Sequence, residues 1–311
     1  MSLSISQILS VSYPAVLNEA KKPMNQFAES AFLRALESMG AIKRVSMGPT
    51  IEHTLDYQRN PGTDFLASDL TTTSLSKVEV LTAASYDPGQ LSVPIVWSKG
   101  DDAKNPSENQ KVALVKSLLE NAFTSHDDAL EQALFASSTD GFLGMANLIP
   151  ESGQGSPGGI NAATETWWRN YSGSYLDNGT DIEAQMTTAW NTAAKGTGGA
   201  SPTLLVSGSE AQSLYEATLQ TFQRFIDTSE ADGGFKKLAF KTAQYVFSQY
   251  GGDHIYFLNP KFFRLNVSSD AYRQKGETIE IPNANGFVCK IYSMLQATTN
   301  NKSRLAVIAS A

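Results

Sequence analysis

The chain has 311 residues, of which 41% are hydrophobic and 18% charged, with one cysteine and a formal net charge of -7. That length suits two lobes better than one core, and the charged share lies below the usual quarter or so, as in a protein that covers part of its outside with neighbours. The acidic balance argues against a dedicated DNA binder, which carries a basic field, and a lone Cys289 excludes an internal disulfide framework.

The first residues, Met1-Ser2-Leu3-Ser4-Ile5-Ser6-Gln7, have neither the early positive charge nor the apolar run of a signal peptide. No stretch reaches the ~18 apolar residues of a membrane span. A reducing cytoplasm is the expected compartment.

In chain order, residues 1–24 are Ser-rich with Pro14 and Pro23, which predicts an extended arm. Phe27, Ala31, Leu33, Leu36 and Met39 then recur at helical spacing, with Gly40 as the stop. Over residues 1–50, Lys21, Lys22, Arg34, Lys43 and Arg44 stand against Glu19, Glu29 and Glu37, a net of +2. From Ile51 the period changes to two. Ile51, His53, Leu55 and Tyr57 alternate with polar residues, Arg59 to Thr63 breaks the run, and Leu91, Val93, Ile95 and Trp97 resume it. This predicts a long β-hairpin with one apolar side that needs cover.

The strongest element follows. Ser107 with Gln110 has the spacing of a capping box. Val112, Val115, Leu119, Ala122, Phe123, Leu130, Ala133 and Leu134 mark one helical face. Taken over 107–137, this helix would be ~46 Å long, and its region from Lys99 to Asp140 has a net charge of -4.

Beyond it the chain is Gly-rich to Thr166 and then reads Trp167-Trp168-Arg169-Asn170. Helices are expected over 181–195 and from Ser209 through Leu219, Phe222 and Phe225. Strands are expected at Pro202–Ser207, Ala243–Phe247, His254–Leu258, Phe262–Val267, Phe287–Tyr292 and Arg304–Ile308.

The chemistry on offer is sparse. Gly153, Gly155 and Gly158 match G-x-G-x-x-G, but Pro150 precedes them and Pro157 and Gly159 block a helix start, so a plain loop is favoured over a dinucleotide site. His126, Asp127 and Asp128 are sequence neighbours and point apart on a helix, unlike metal ligands. His53 and His254 stand without a ligand pattern. The Trp167–Trp168 pair could stack on a sugar or base, but pinning the loop is the favoured role. No catalytic, cofactor or metal residue is assigned.

Together these elements, an arm, a long hairpin, an unusually long helix and an α/β lobe closed by returning strands, resemble the tailed-phage major capsid fold, shared with encapsulins and the herpesvirus capsid floor. Gly141-Phe142-Leu143-Gly144, Gly158-Gly159-Ile160 and Trp167–Asn170 are similar to the run after the spine helix in that family. Gly234-Phe235, Leu238-Ala239-Phe240 and Tyr256–Asn259 are similar to its A-domain.

The resemblance implies an α+β fold with an N-terminal arm and short helix (1–49), an E-loop β-hairpin (50–98), a P-domain with the spine helix (99–180), an A-domain (181–285) and C-terminal strands returning to the P-domain (286–311). The spine-helix core would be Val112, Val115, Leu119, Phe123, Leu130 and Leu134. Ile51, Leu55, Tyr57, Arg59, Val93, Ile95 and Trp97 would contact a neighbouring subunit.

It further implies a non-enzymatic shell protein assembling with itself into hexamers and pentamers around loosely held double-stranded DNA. Separate scaffolding, portal and decoration proteins would be its partners, with no cofactor and no membrane. The place would be the virion capsid, built in the bacterial cytoplasm. An encapsulin-type nanocompartment is the alternative within the fold. A carbohydrate-active module around the Trp pair is the alternative outside it.

Overall fold

The computed structural model describes residues 4–20, 30–58, 63, 79–105, 107–194, 201–222 and 239–311. Expectations resting on Pro23, Phe27, Arg59, Phe225, Gly234, Phe235 and Leu238 lie outside those residues.

The chain opens with a helix where an extended arm was expected. In α1, Ile5–Ala20, the side chains of Ile5, Ile8, Leu9 and Tyr13 fall on one face and are buried. Tertiary burial outweighs the Ser-rich composition and the internal Pro14. α2, Ala31–Ser38, begins at Ser30, whose hydroxyl accepts from the Leu33 amide at 3.0 Å. It ends before Gly40, whose φ of +69° is a left-handed conformation that glycine adopts freely. A short strand, β1, Ile42–Val45, follows.

The expected hairpin divides in two. β2, Ile51–Asp56, pairs antiparallel with β3, Leu81–Tyr86, from Ile51 opposite Tyr86 to Asp56 opposite Leu81. β4, Gly89–Ser98, leaves that ribbon and pairs with the long strand Gly286–Thr299. Alternation identifies a strand but not its partner.

α3, Lys99–Lys104, carries a reciprocal cap. Ser98 accepts from the Asp101 amide at 3.1 Å, and the Asp101 carboxylate accepts from the Ser98 amide at 2.8 Å. The cap expected at Ser107 is not formed: that residue precedes α4, Glu108–Phe135, without a side-chain bond to it. Its 28 residues extend ~42 Å.

The remaining elements are β5 (Ser138–Thr139), β6 (Phe142–Leu143), α5 (Met145–Leu148), β7 (Tyr171–Tyr175), α6 (Ile182–Ala193), β8 (Leu204–Ser207) and α7 (Ser209–Phe222). After them come β9 (Ala239–Phe240), β10 (Ala243–Phe247), β11 (Ile255–Leu258), β12 (Phe263–Ser268), β13 (Gln274–Glu280), β14 (Gly286–Thr299) and β15 (Ala306–Ser310).

Two sheets result. β14 is the axis of the five-stranded one. β4 lies along one side of it, while β13 and then β12 run along the other, with β1 parallel to β12. The six-stranded sheet has the order β7-β15-β11-β8-β10-β9.

Sheet membership does not follow the order of the expected segments. β7 sits in the six-stranded sheet although it falls within 99–180. β12 and β13 sit in the five-stranded sheet although they fall within 181–285. Of the C-terminal strands, β14 enters the five-stranded sheet, whereas β15 inserts between β7 and β11. Ala306, Val307, Ile308 and Ala309 are all buried, as a strand covered on both faces requires.

α4 spans two cores. Val115, Leu119, Ala122 and Phe123 pack with α1, β4 and β14, while Leu130 and Leu134 join α2, the root of β2–β3 and the far half of β14. A third core fills the six-stranded sheet against α6 and α7.

Val112 departs from the expected core: it is 45% exposed. The buried line runs 111, 115, 119, 122, 126, 130, 134, and Val112 lies about 100° of helical turn beyond Lys111. Lys111 is itself buried in that first turn. Leu119→Ala should therefore cost ~2–5 kcal/mol in denaturant unfolding of dispersed subunits. Val112→Ala should stay within ~0.5 kcal/mol; equal losses would mean the helix phase is different.

Candidate assembly surface

The β2–β3 ribbon is mounted firmly on its own subunit. Tyr86 donates to the Thr299 carbonyl at 2.9 Å, and His53 shares a hydrogen bond with the Thr298 hydroxyl at 2.9 Å. Gly158, at φ +68°, passes so close beneath the ribbon that a Cβ there would stand 2.7 Å from the Ala84 side chain and 3.0 Å from the Tyr86 ring. Farther out, Tyr57 stacks on Trp167 with centroids 5.2 Å apart. Its hydroxyl donates to the Glu79 carbonyl at 2.9 Å.

The loop beneath is itself pinned. Trp168 is buried and donates to the Pro157 carbonyl at 3.2 Å, and Trp167 donates to Glu165 at 2.7 Å. Arg169 donates to the Ala162 and Ala163 carbonyls, each at 2.7 Å. The Gly-rich stretch wraps Lys302, which is fully buried. Its ammonium donates to the carbonyl of Gln154 and, at 3.5 Å, to that of Gly153. Burial lowers the Lys302 pKa to about 8. An ammonium among carbonyls, with Gly158 and Gly159 held in a 3-10 turn, is not a phosphate cradle.

Three of the expected intersubunit residues are not available to a neighbour. Leu55, Ile95 and Trp97 are 4%, 3% and 3% exposed and belong to the subunit's own cores. β4 turns Ile95 and Trp97 to α1 and α4, while Leu55 on β2 packs into the core at the root of the ribbon. Ile51, Tyr57 and Val93 are half-buried, and Arg59 lies outside the described residues. Leu81 on the ribbon is 57% exposed, a position the sequence reading passed over.

His126, Asp127 and Asp128, which point apart on the helix, instead build a polar joint on α4 with partners far along the chain. His126 is fully buried, its Nε2 2.9 Å from the Ser293 hydroxyl and its Nδ1 3.1 Å from Asp127. Arg273, 2% exposed with φ +51°, forms an ion pair with Asp127 and stacks its guanidinium over the Phe123 and Tyr272 rings. Tyr13 of α1 donates to the Arg273 carbonyl. One helical turn on, Glu131 accepts from Ser248, and Asp128 accepts from Tyr250 at 2.7 Å and Gln249 at 3.2 Å. These carboxylates line an open cleft of about 300 Å³ together with Phe247 and Thr124. His254 lies between Glu151 and Asp253. Among the described residues no group of three His, Cys, Asp or Glu side chains is arranged to hold a metal, and no helix is long and apolar enough to cross a membrane.

No protein-family model and no curated protein sequence matches this chain. Solved structures do. The capsid asymmetric unit of cyanophage A-1(L) matches with a TM-score of 0.59 at 13% identity, over 89% of this chain and 92% of that one. The capsid of Myoviridae phage XM1 matches with a TM-score of 0.55 at 11% identity, over 89% and 92%. A virus-like particle from Pyrococcus furiosus matches with a TM-score of 0.51 at 9% identity, over 98% and 97%. The chain thus has the α+β fold of tailed-phage capsid shells.

His126 makes the joint acid-sensitive. Burial is the main cause of its lowered pKa; Asp127 opposes the shift and Arg273 adds to it. The unfolded chain takes up a proton near pH 6.5 while the folded chain does not, so stability falls as the pH drops below about 6.5. His53, lowered mainly by burial, contributes with the same sign. The melting temperature of dispersed subunits should fall between pH 7 and 5, with a shallower slope in His126→Gln. Identical slopes would place the proton uptake elsewhere.

Proposed function

We propose that this chain is the major capsid protein of a tailed bacteriophage. It assembles into hexamers and pentamers of an icosahedral or prolate shell around double-stranded DNA. The single observation that carries this reading is the match to phage capsid structures along about nine-tenths of both chains. The role is structural. The Ser293 hydroxyl does meet the His126 imidazole, which in turn meets Asp127, but His126 and Ser293 are both fully buried, so that contact joins helix to strand and is not open to a substrate.

A scaffolding protein, a portal and a decoration protein are its proposed partners, and the virion capsid, assembled in the host cytoplasm, its place. Packaged DNA would touch it loosely. The region from Lys99 to Asp140 carries a net charge of -4, and a wall of that sign does not grip phosphate.

A second reading, a cellular nanocompartment shell of the same fold, is favoured by the fuller match to the Pyrococcus particle, 98% of this chain. The contents of purified particles separate the two: nuclease-resistant DNA supports the phage shell, a protein cargo the compartment.

Electron microscopy of the purified chain, with its scaffold supplied, should show closed particles built from rings of six and five. A chain that stays monomeric at every salt concentration would overturn the proposal. Isolated capsomers should bind duplex DNA weakly; tight binding with a steep salt dependence would contradict a non-gripping wall.

The connection between β2 and β3 is the proposed clamp between capsomers. Replacing residues 58–76 by a short Gly-Ser linker should leave soluble, folded subunits that fail to make stable shells. Particles as robust as the parent's would remove the clamp.

A further inference from the structure

The described residues cover only one face of the β4–β14–β13 sheet. Ile95, Trp97, Cys289 and Ile291 point toward α1 and α4 and form a core with them. The alternate residues point the other way. Strand register sets Val96 opposite Val288 and Val288 opposite Ile279, one apolar row across three strands. Val96 is 53% and Ile279 60% exposed, with Val288 half-buried between them. Tyr292, two pairs along β14 on the same face, is 39% exposed. Single exposed apolar side chains are ordinary, whereas a continuous row across a sheet marks a contact surface.

The charges beside the row indicate what covers it. Lys290 follows Val288 on the outward side of β14, and Glu277 lies in the bulge of β13 between Lys275 and Thr278. Both are exposed, and neither forms an ion pair with a described residue. A face carrying one sign would repel its own copy. A face carrying one uncommitted charge of each sign is complementary to itself.

We infer that the Val96–Val288–Ile279 row is a contact between copies of this chain, in which Lys290 of one copy meets Glu277 of another. The inference rests on the shell reading and names a surface that reading leaves open.

The test uses the full chain. Ile279→Asp should leave the melting temperature of dispersed subunits unchanged, because the position is exposed. It should lower the assembled fraction by about tenfold or more, as the loss of a central contact residue does. Lys290→Glu and Glu277→Lys should each weaken assembly, and the double swap should restore it. Assembly of Ile279→Asp equal to the parent overturns the contact. A fall in its subunit melting temperature also overturns it, by showing that the chain's own residues cover the row. So do intact Ile279→Asp shells that have lost only a different, co-purifying protein. A parent that never passes the monomer overturns the shell reading and this contact together; a parent that assembles separates the two.

Discussion

Arg273 is a permanent cation held 2% exposed, and moving such a charge out of water costs several kcal/mol unless it is met closely. Asp127 meets it from α4, and the Phe123 and Tyr272 rings lie against its faces. This requirement orients much of the subunit. Asp127 can reach Arg273 only if α4 lies along β14 at one rotation, which turns Phe123 and Leu119 toward α1 and Leu130 toward the second core. His126, the next residue, then falls onto Ser293 of β14. The apolar stripe supplies most of the burial energy, and the ion pair selects one register of helix on sheet from the several that a Leu- and Ala-rich stripe would tolerate.

The same helix couples the two sheets. Asp128 and Glu131 hold the turn at 248–250, which leads from β10 into β11, and that turn packs with little slack. A Cβ on Gly251 would stand 2.3 Å from the Gly208 amide, and one on Gly208 would stand 2.1 Å from the Gly252 carbonyl. Backbone contact this close makes the junction stiff. Any relative movement of the lobes has to break the carboxylate bonds on α4 as a set.

Sequence patterns revealed elements better than partners. α4 was legible because a 3.6-residue period persists for eight turns, and β15 because five small and branched residues run together. α1 was not: Ile5, Ile8, Leu9 and Tyr13 have the right spacing, but serines and Pro14 obscured it. β1 was passed over because Lys43 and Arg44 fill half of its four positions. The 51–97 hairpin failed for a different reason. Strands with one apolar face pair equally well with any strand offering the complementary face, and β4 found β14 nearly two hundred residues away. The polar joint shares that origin, since Ser293 lies 167 residues from His126.

The placement of the last two strands has a consequence for biosynthesis. β14 is the axis of one sheet and β15 an interior strand of the other, so residues 286–311 complete both lobes. A nascent chain still lacking them presents β4, β7, β11 and β12 with unpaired inner edges and leaves the cores that β14 and β15 line open. Closure of both sheets therefore waits until residues 286–311 have been synthesised, so neither lobe folds ahead of the other along the growing chain.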